Sequence, residues 1–191
     1  MERLILGVDE AGRGPLAGPV AVGVVAAPNG FDFRLLAGVR DSKQMSELGR
    51  EIWYEKLRVL EQEEGLRHIV VFSSANSIDT YGITRAVRRA VYKGVRTLAP
   101  EYAGVKVLLD GLLHAPKEYE QETIIKGDET EPLISLASIA AKVRRDRLMR
   151  RLSLRFPEYG FEIHKGYGTK MHREALIKLG LCDIHRKTFC H

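Results

Sequence analysis

Acidic residues able to hold a metal ion stand at three places in the 191-residue sequence, each closing an apolar run. Asp9-Glu10 follow Leu4 to Val8, Asp110 follows Val105 to Leu109, and Asp128 follows a run over Glu122 to Ile125. Short apolar runs of this kind read as strands, and ligands of open α/β sheets gather beyond strand ends. Carboxylates converging there suit hard divalent cations such as Mg2+ or Mn2+. Hydrolysis of a phosphodiester develops charge on the attacking and leaving oxygens, and two such ions about 4 Å apart stabilise both. Neighbouring strand residues point to opposite faces, so Asp9 and Glu10 share a pocket only if the strand ends between them. The turn at Gly12 leads us to expect that it does. A single Asp-Gly such as Asp110-Gly111 is usually just a turn; four acids at three strand ends point to a cluster.

The elements that must position these acids alternate. Leu4 to Val8 is apolar on both faces and reads as a central strand. Gly12 to Pro15 is a turn, and Ala17 to Ala27 reads as the hairpin partner, ended by Pro28-Asn29-Gly30. Residues 31 to 45 read as irregular. Ser46 is an expected helix cap, with Leu48, Ile52, Trp53, Leu57 and Leu60 as the buried stripe and Gly65 as the stop. A strand over 68–72 follows. Asp79 or Thr80 is then expected to cap a helix whose stripe is Ile83, Ala86, Val87, Ala90, Val91 and Leu98. Strands over 105–109 and 122–125 precede a long helix over 132–155. Its first half, rich in Ser and Ala, allows close packing on a sheet; its second half is basic, and Pro157 stops it. A glycine-bearing loop over 160–168 leads to a short helix over 170–179. The order β-β-α-β-α-β-β-α-α predicts one mixed α/β domain spanning 1–191, a sheet flanked by helices.

Composition is ordinary for a soluble globular protein: 45% of residues are apolar and 29% charged. No apolar run approaches the ~20 residues of a membrane helix, and the first residues do not read as a secretory signal. Two cysteines, Cys182 and Cys190, predict reduced thiols in a cytoplasmic protein rather than a disulfide framework. The net charge of +5 is weak evidence by itself. The basic run Lys142, Arg144, Arg145, Arg147, Arg150, Arg151 and Arg155, set against an acidic pocket, suits an enzyme that grips a phosphate backbone. Two other signals are set aside. Gly12-x-Gly14-x-x-Ala17 fits a dinucleotide fingerprint, but Pro15 and a Val-rich strand stand where that motif needs a helix. His164, His172, His185, His191, Cys182 and Cys190 match no standard zinc spacing.

The run Gly7-Val8-Asp9-Glu10-Ala11-Gly12-Arg13-Gly14-Pro15-Leu16-Ala17-Gly18-Pro19-Val20 resembles the signature of the ribonuclease HII family, the type 2 ribonucleases H. Further motifs resemble that family in its own order. They are Asp41-Ser42-Lys43; Leu109-Asp110-Gly111; Lys126-Gly127-Asp128 with Ala137 to Val143 and Arg145-Asp146; Tyr159-Gly160-Phe161; His164 to Thr169; and Gly180 through His185-Arg186 to Phe189. Each is weak alone, and the ordered set is specific. The segment 73–98 matches only loosely, apart from Ile78-Asp79.

The resemblance implies an RNase H-like mixed five-stranded sheet flanked by helices. It implies a catalytic metal set of Asp9, Glu10, Asp110 and Asp128 with Mg2+ or Mn2+. It also implies cleavage of RNA–DNA hybrid and incision at single ribonucleotides in duplex DNA, leaving 5′-phosphate and 3′-hydroxyl ends. By the same resemblance Gly12, Arg13, Gly14 and Tyr167 recognise the RNA-to-DNA junction. Glycines admit a sugar close to the backbone, and sensing the 2′-hydroxyl is what tells RNA from DNA. Lys43 is expected to contact a phosphate, as are Lys142 and Arg145, three apart on one helix face. The protein is expected to act as a monomer. Many members carry a C-terminal extension that helps hold the hybrid; the sequence as read to His191 leads us to expect neither that extension nor a clamp-binding motif. The sister family, ribonuclease HIII, typically lacks the arginine of the Gly-Arg-Gly turn, so Arg13 favours HII. A purely binding module is disfavoured, because a protein that grips anionic backbone has no use for clustered carboxylates unless metal occupies them.

Overall fold

Glycines at two strand positions decide how the main helix sits on the sheet, and that helix carries part of the site. The computed structural model describes residues 4–190. Five strands, β1 (Leu4–Ala11), β2 (Val20–Ala27), β3 (Arg67–Ser73), β4 (Val105–Asp110) and β5 (Glu120–Ile124), form one sheet in the order β3-β2-β1-β4-β5. β2 runs antiparallel to both β1 and β3, whereas β4 and β5 run parallel to β1. The expected mixed five-stranded sheet is therefore present, with β1 at its centre.

Helices α1 (Glu47–Glu63), α2 (Ala75–Tyr81), α3 (Ile83–Leu98), α4 (Gly127–Thr130), α5 (Pro132–Ser153), α6 (Phe161–His164) and α7 (Lys170–Leu179) complete the chain. On one face of the sheet, Ala86, Val87, Ala90 and Val91 of α3 cluster with Leu6, Val8, Val22 and Val24. On the other, Leu133, Leu136, Ala137 and Ala140 of α5 join Val25, Ala27 and the α1 residues Tyr54, Leu57 and Leu60. This covering of both faces explains why β2 is buried at every position. A methyl group on Gly7 would lie 2.3 Å from the Leu133 carbonyl carbon, and one on Gly23 would lie 2.1 Å from the Ala137 oxygen. The two glycines let the backbone of α5 rest directly on β1 and β2, and its serines and alanines keep that contact close.

Four expectations need correction. The first strand does not stop at Val8; it runs through Asp9 and Glu10 to Ala11. Its partner starts at Val20 rather than Ala17, which makes only an isolated bridge with His185. In α1, capped by Ser46 as expected, Leu48 and Ile52 are 70% and 60% exposed. The helix turns Glu47 and Glu51 toward Arg147 and Arg150 of α5, which rotates Leu48 and Ile52 into solvent. Finally, Asp79 caps no helix. Gly82, at φ 77°, separates α2 from α3, and Ser74 caps α2. The Asp79 carboxylate instead accepts from the Lys187 and Thr188 amides and the Thr188 hydroxyl.

Candidate active site

Parallel pairing of β1 with β4 aligns Val8 with Leu109, so Asp9 and Asp110 emerge side by side at the ends of two central strands. The third acid comes by a different route from the one expected. β5 stops at Ile124, Lys126 takes a left-handed conformation (φ 57°), and Asp128 enters in the first turn of α4. Its amide reaches Asp110 Oδ1 at 3.4 Å, while Ser135 Oγ of α5 donates to its carbonyl at 2.7 Å. One carboxylate oxygen from each of Asp9, Asp110 and Asp128 lies within 4.8 Å of the others, and among the described residues this is the only such cluster of possible metal ligands.

Asp9 and Asp128 are 4% and 3% exposed. Burial, then repulsion from Glu10 and Asp110, push the Asp9 pKa well above the ordinary carboxylate value, partly offset by a hydrogen bond from Ser138. Burial and neighbouring Asp128 raise Asp110. Buried like charges favour their neutral forms unless a cation joins them. Three hard oxygen donors in this state fit a divalent cation.

Among the described residues Lys43 supplies the one cation in direct contact: its Nζ donates to Asp128 Oδ2 at 2.8 Å. The lysine expected on a phosphate is thus paired with the cluster. Glu10 stands apart from the three acids because the strand continues through it. Arg13 holds its Oε1 at 3.1 Å, and burial raises its pKa against the lowering effect of Arg13.

Beyond β1, Gly12 adopts φ 88°, and a methyl group there would lie 2.0 Å from Arg145 Nε. Gly14 differs: it has no positive φ, and a methyl group on it would meet nothing within 4 Å. Tyr167 is 41% exposed, with the Lys142 ammonium and the Arg145 guanidinium 5.6 and 5.7 Å from its ring centroid. Its loop is fastened to the turn by the Leu16 amide, which donates to the Gly166 carbonyl at 2.8 Å.

The family model described as Ribonuclease HII matches residues 6–191. The chain belongs to the ribonuclease HII family. Ribonuclease HII of Bacillus cytotoxicus is 44% identical over 185 residues, covering 97% of this chain and 68% of its own. That of Geotalea uraniireducens is 44% identical over 187 residues, covering 97% and 82%. Among solved structures, RNase HII of Archaeoglobus fulgidus, determined in complex with PCNA, superposes with a TM-score of 0.78 at 28% identity over 96% of this chain and 94% of its own. Bst-RNase HIII in complex with Mn2+ gives 0.74 at 18% identity over 98% and 67%, a likeness of fold alone. The RNase H-like fold expected from the sequence is established, as is membership of a family of nucleases that cleave RNA in RNA–DNA hybrids.

Two of the residues expected to touch substrate are placed otherwise in this ribonuclease HII. Arg145 is fully buried. Its guanidinium donates to the carbonyls of Pro19, Lys165 and Ala17 at 2.8, 3.0 and 3.2 Å. Helical spacing places it on the Lys142 face but says nothing of depth, and it is not available to a phosphate. Lys142 is bound to Asp146 at 2.9 Å. Much of the remaining basic run pairs with α1: Arg147 with Glu51 and Glu55, Arg150 with Glu47 and Glu51.

Asp41 and Ser138, by contrast, lie against the acids, although in the sequence they have a place in the family-like motifs and no role of their own. Asp41 is 5% exposed, and burial together with contact with Asp128 raises its pKa. Ser138 shares a 2.8 Å hydrogen bond with Ser42 and also meets Asp9. Asp41 lies in an irregular stretch, where a search for strand ends finds nothing.

His164, His172 and His185 do come together, His172 Nε2 lying 3.0 Å from His185 Nε2. The remaining ring nitrogens meet backbone groups: His164 those of Tyr159 and Gly166, His172 that of Tyr167, and His185 that of Cys182. They form a packing network rather than a metal site; His191 lies outside the described residues.

Proposed function

We propose that this family member incises duplex DNA at a single embedded ribonucleotide as well as cutting longer hybrids, and leaves 5′-phosphate and 3′-hydroxyl ends. Asp9, Asp110 and Asp128 hold Mg2+ or Mn2+, and Glu10 completes the set. The observation that carries this reading is the convergence of three carboxylates, two of them almost fully buried, from the adjacent parallel strands β1 and β4 and the first turn of α4. Bound there, a divalent ion stabilises charge developing on the phosphate oxygens.

The chain's own residues do the rest. Ser138 fixes the Asp9 carboxylate. Lys43, held on Asp128, sets an ammonium beside the acids, where it would meet a substrate phosphate. Arg13, held on Glu10, likewise sets a guanidinium where it would meet the nucleic acid. The fold makes no demand for glycine at position 14, so the open space above it suits a ligand that approaches the backbone closely. With half-exposed Tyr167 beside it, that space is suited to a ribose and its 2′-hydroxyl. Lys142, paired with Asp146 beneath the Tyr167 ring, supports the tyrosine rather than the phosphate backbone. We further take the protein to work as a monomer in the cytoplasm, in keeping with its two free thiols.

A duplex carrying one ribonucleotide tests the reading directly. Mg2+-dependent nicking is expected, yielding a 3′-hydroxyl that a polymerase extends. Activity on long hybrid without nicking of this substrate would instead point to ribonuclease HIII-like specificity. Cleavage undiminished by EDTA would refute the metal mechanism.

A further inference from the structure

A second buried arginine approaches the Gly12–Gly14 turn, far from Arg145 in sequence. Arg186 is fully buried. It donates to the carbonyls of Gly12, Arg13 and Gly18 at 2.7, 2.6 and 2.9 Å. Together with Arg145, it fastens carbonyls along the whole segment from Gly12 to Pro19, and Arg145 ties in Lys165 from the tyrosine loop. Neither guanidinium bonds to an acid among the described residues. Asp146 is held by Lys142, and Asp79 is taken up by the amides of residues 187 and 188.

Burying two cations without a carboxylate is costly, and folds rarely do it for packing alone. An arginine fixes three acceptors in one plane, which a lysine's compact ammonium does not reproduce. The two buried positive charges also lie beneath a turn whose outer face meets a polyanion, and a phosphate there would offset them.

We propose that Arg145 and Arg186 are positioning residues: they hold the Gly12–Gly14 turn and the Tyr167 loop at the spacing needed to recognise a ribose, without touching substrate themselves. This rests on the reading of that turn as the ribose sensor. A displacement of about 1 Å at a reacting centre can cost a hundredfold in rate.

The test compares wild type with Arg186→Lys and Arg145→Lys. For each, kcat and KM are measured on a single-ribonucleotide duplex and on a long hybrid, alongside melting temperature and half-saturating Mg2+. Arg186→Lys should lose roughly 10- to 100-fold in kcat/KM on the single-ribonucleotide duplex. The loss on long hybrid should be several-fold smaller, and the Mg2+ requirement unchanged. In an Arg13→Ala background the same substitution should cost less than about threefold, because residues acting as a unit are non-additive.

Equal losses on both substrates, full additivity with Arg13→Ala, or failure of both lysine variants to fold would each reduce the arginines to structural supports and overturn the proposal. If wild type itself does not nick the single-ribonucleotide duplex, the fault lies with the ribose-sensor reading rather than with the arginines.

Discussion

Two regions of this ribonuclease HII handle buried or half-buried charge in opposite ways. Along the seam between α1 and α5, Glu47, Glu51 and Glu55 face Arg147 and Arg150, and opposite charges pair off. Where β1 and β4 run side by side, like charges are pressed together: Asp9, Asp110 and Asp128 share a pocket, with only Lys43, among the described residues, in direct contact. The seam needs nothing from outside. The pocket is electrostatically incomplete until a cation enters, and its raised carboxylate pKa values record that state. Paired charge marks architecture here, and charge left unpaired under burial marks function.

The sharpest way to break this comparison is Asp110→Asn. Cleavage should fall on the order of 1,000-fold or more, because the acids act as a unit. The metal-free variant should nevertheless melt higher than wild type at neutral pH. The sign follows from linkage: a carboxyl whose folded pKa is raised binds protons more readily folded than unfolded. Its stabilising contribution is therefore complete below the ordinary carboxylate range and lost as pH rises through the raised value. The advantage of the asparagine variant should grow with pH above that range. A lower melting temperature at neutral pH would mean the pocket is not frustrated.

Metal addition comes next in size. Mg2+ at about 100 times its dissociation constant should stabilise wild type by roughly 2.7 kcal/mol, read as a rise in melting temperature. Little of this should survive in Asp110→Asn. An equal rise in both would place the ion elsewhere.

The histidine network should titrate in the opposite sense. Burial lowers the His172 pKa from 6.5 to about 4. Its contribution is intact above the unfolded value and lost as pH falls. The stability of wild type over His172→Gln should shrink between pH 6.5 and about 4; a constant difference would show that the imidazole does not titrate with folding.

The smallest effect belongs to the seam. Arg150→Ala should cost less than about 1 kcal/mol, less still in high salt, as partly exposed ion pairs do. Cleavage should be unchanged. A large loss of activity would show that this seam also serves the substrate.

Which features were legible in the sequence follows from the range of the forces that set them. Asp9 and Asp110 could be read because a strand pattern is local and parallel pairing brings strand ends together. Asp128 was found for the wrong local reason, since a left-handed Lys126 and a one-turn helix place it rather than a strand end. The depth of Arg145 and the exposure of Leu48 and Ile52 depend on what packs against each helix, and periodicity gives a face without saying which neighbour claims it. Asp41 joins the pocket through the approach of an irregular segment that no period announces.

The hydrogen bond from Arg186 to the Gly12 carbonyl spans 174 residues of chain. During synthesis from the N-terminus, the ribosome makes the turn long before the arginine that fastens it. The sheet core can gather while the turn is still unsecured, because the contacts that fix it are among the most distant in sequence and so form late. A nascent chain halted before residue 186 would carry Asp9, Asp110 and Asp128 but lack the finished turn. Recognition of substrate should thus be the last property the folding domain acquires, after the sheet and its three acids are in place.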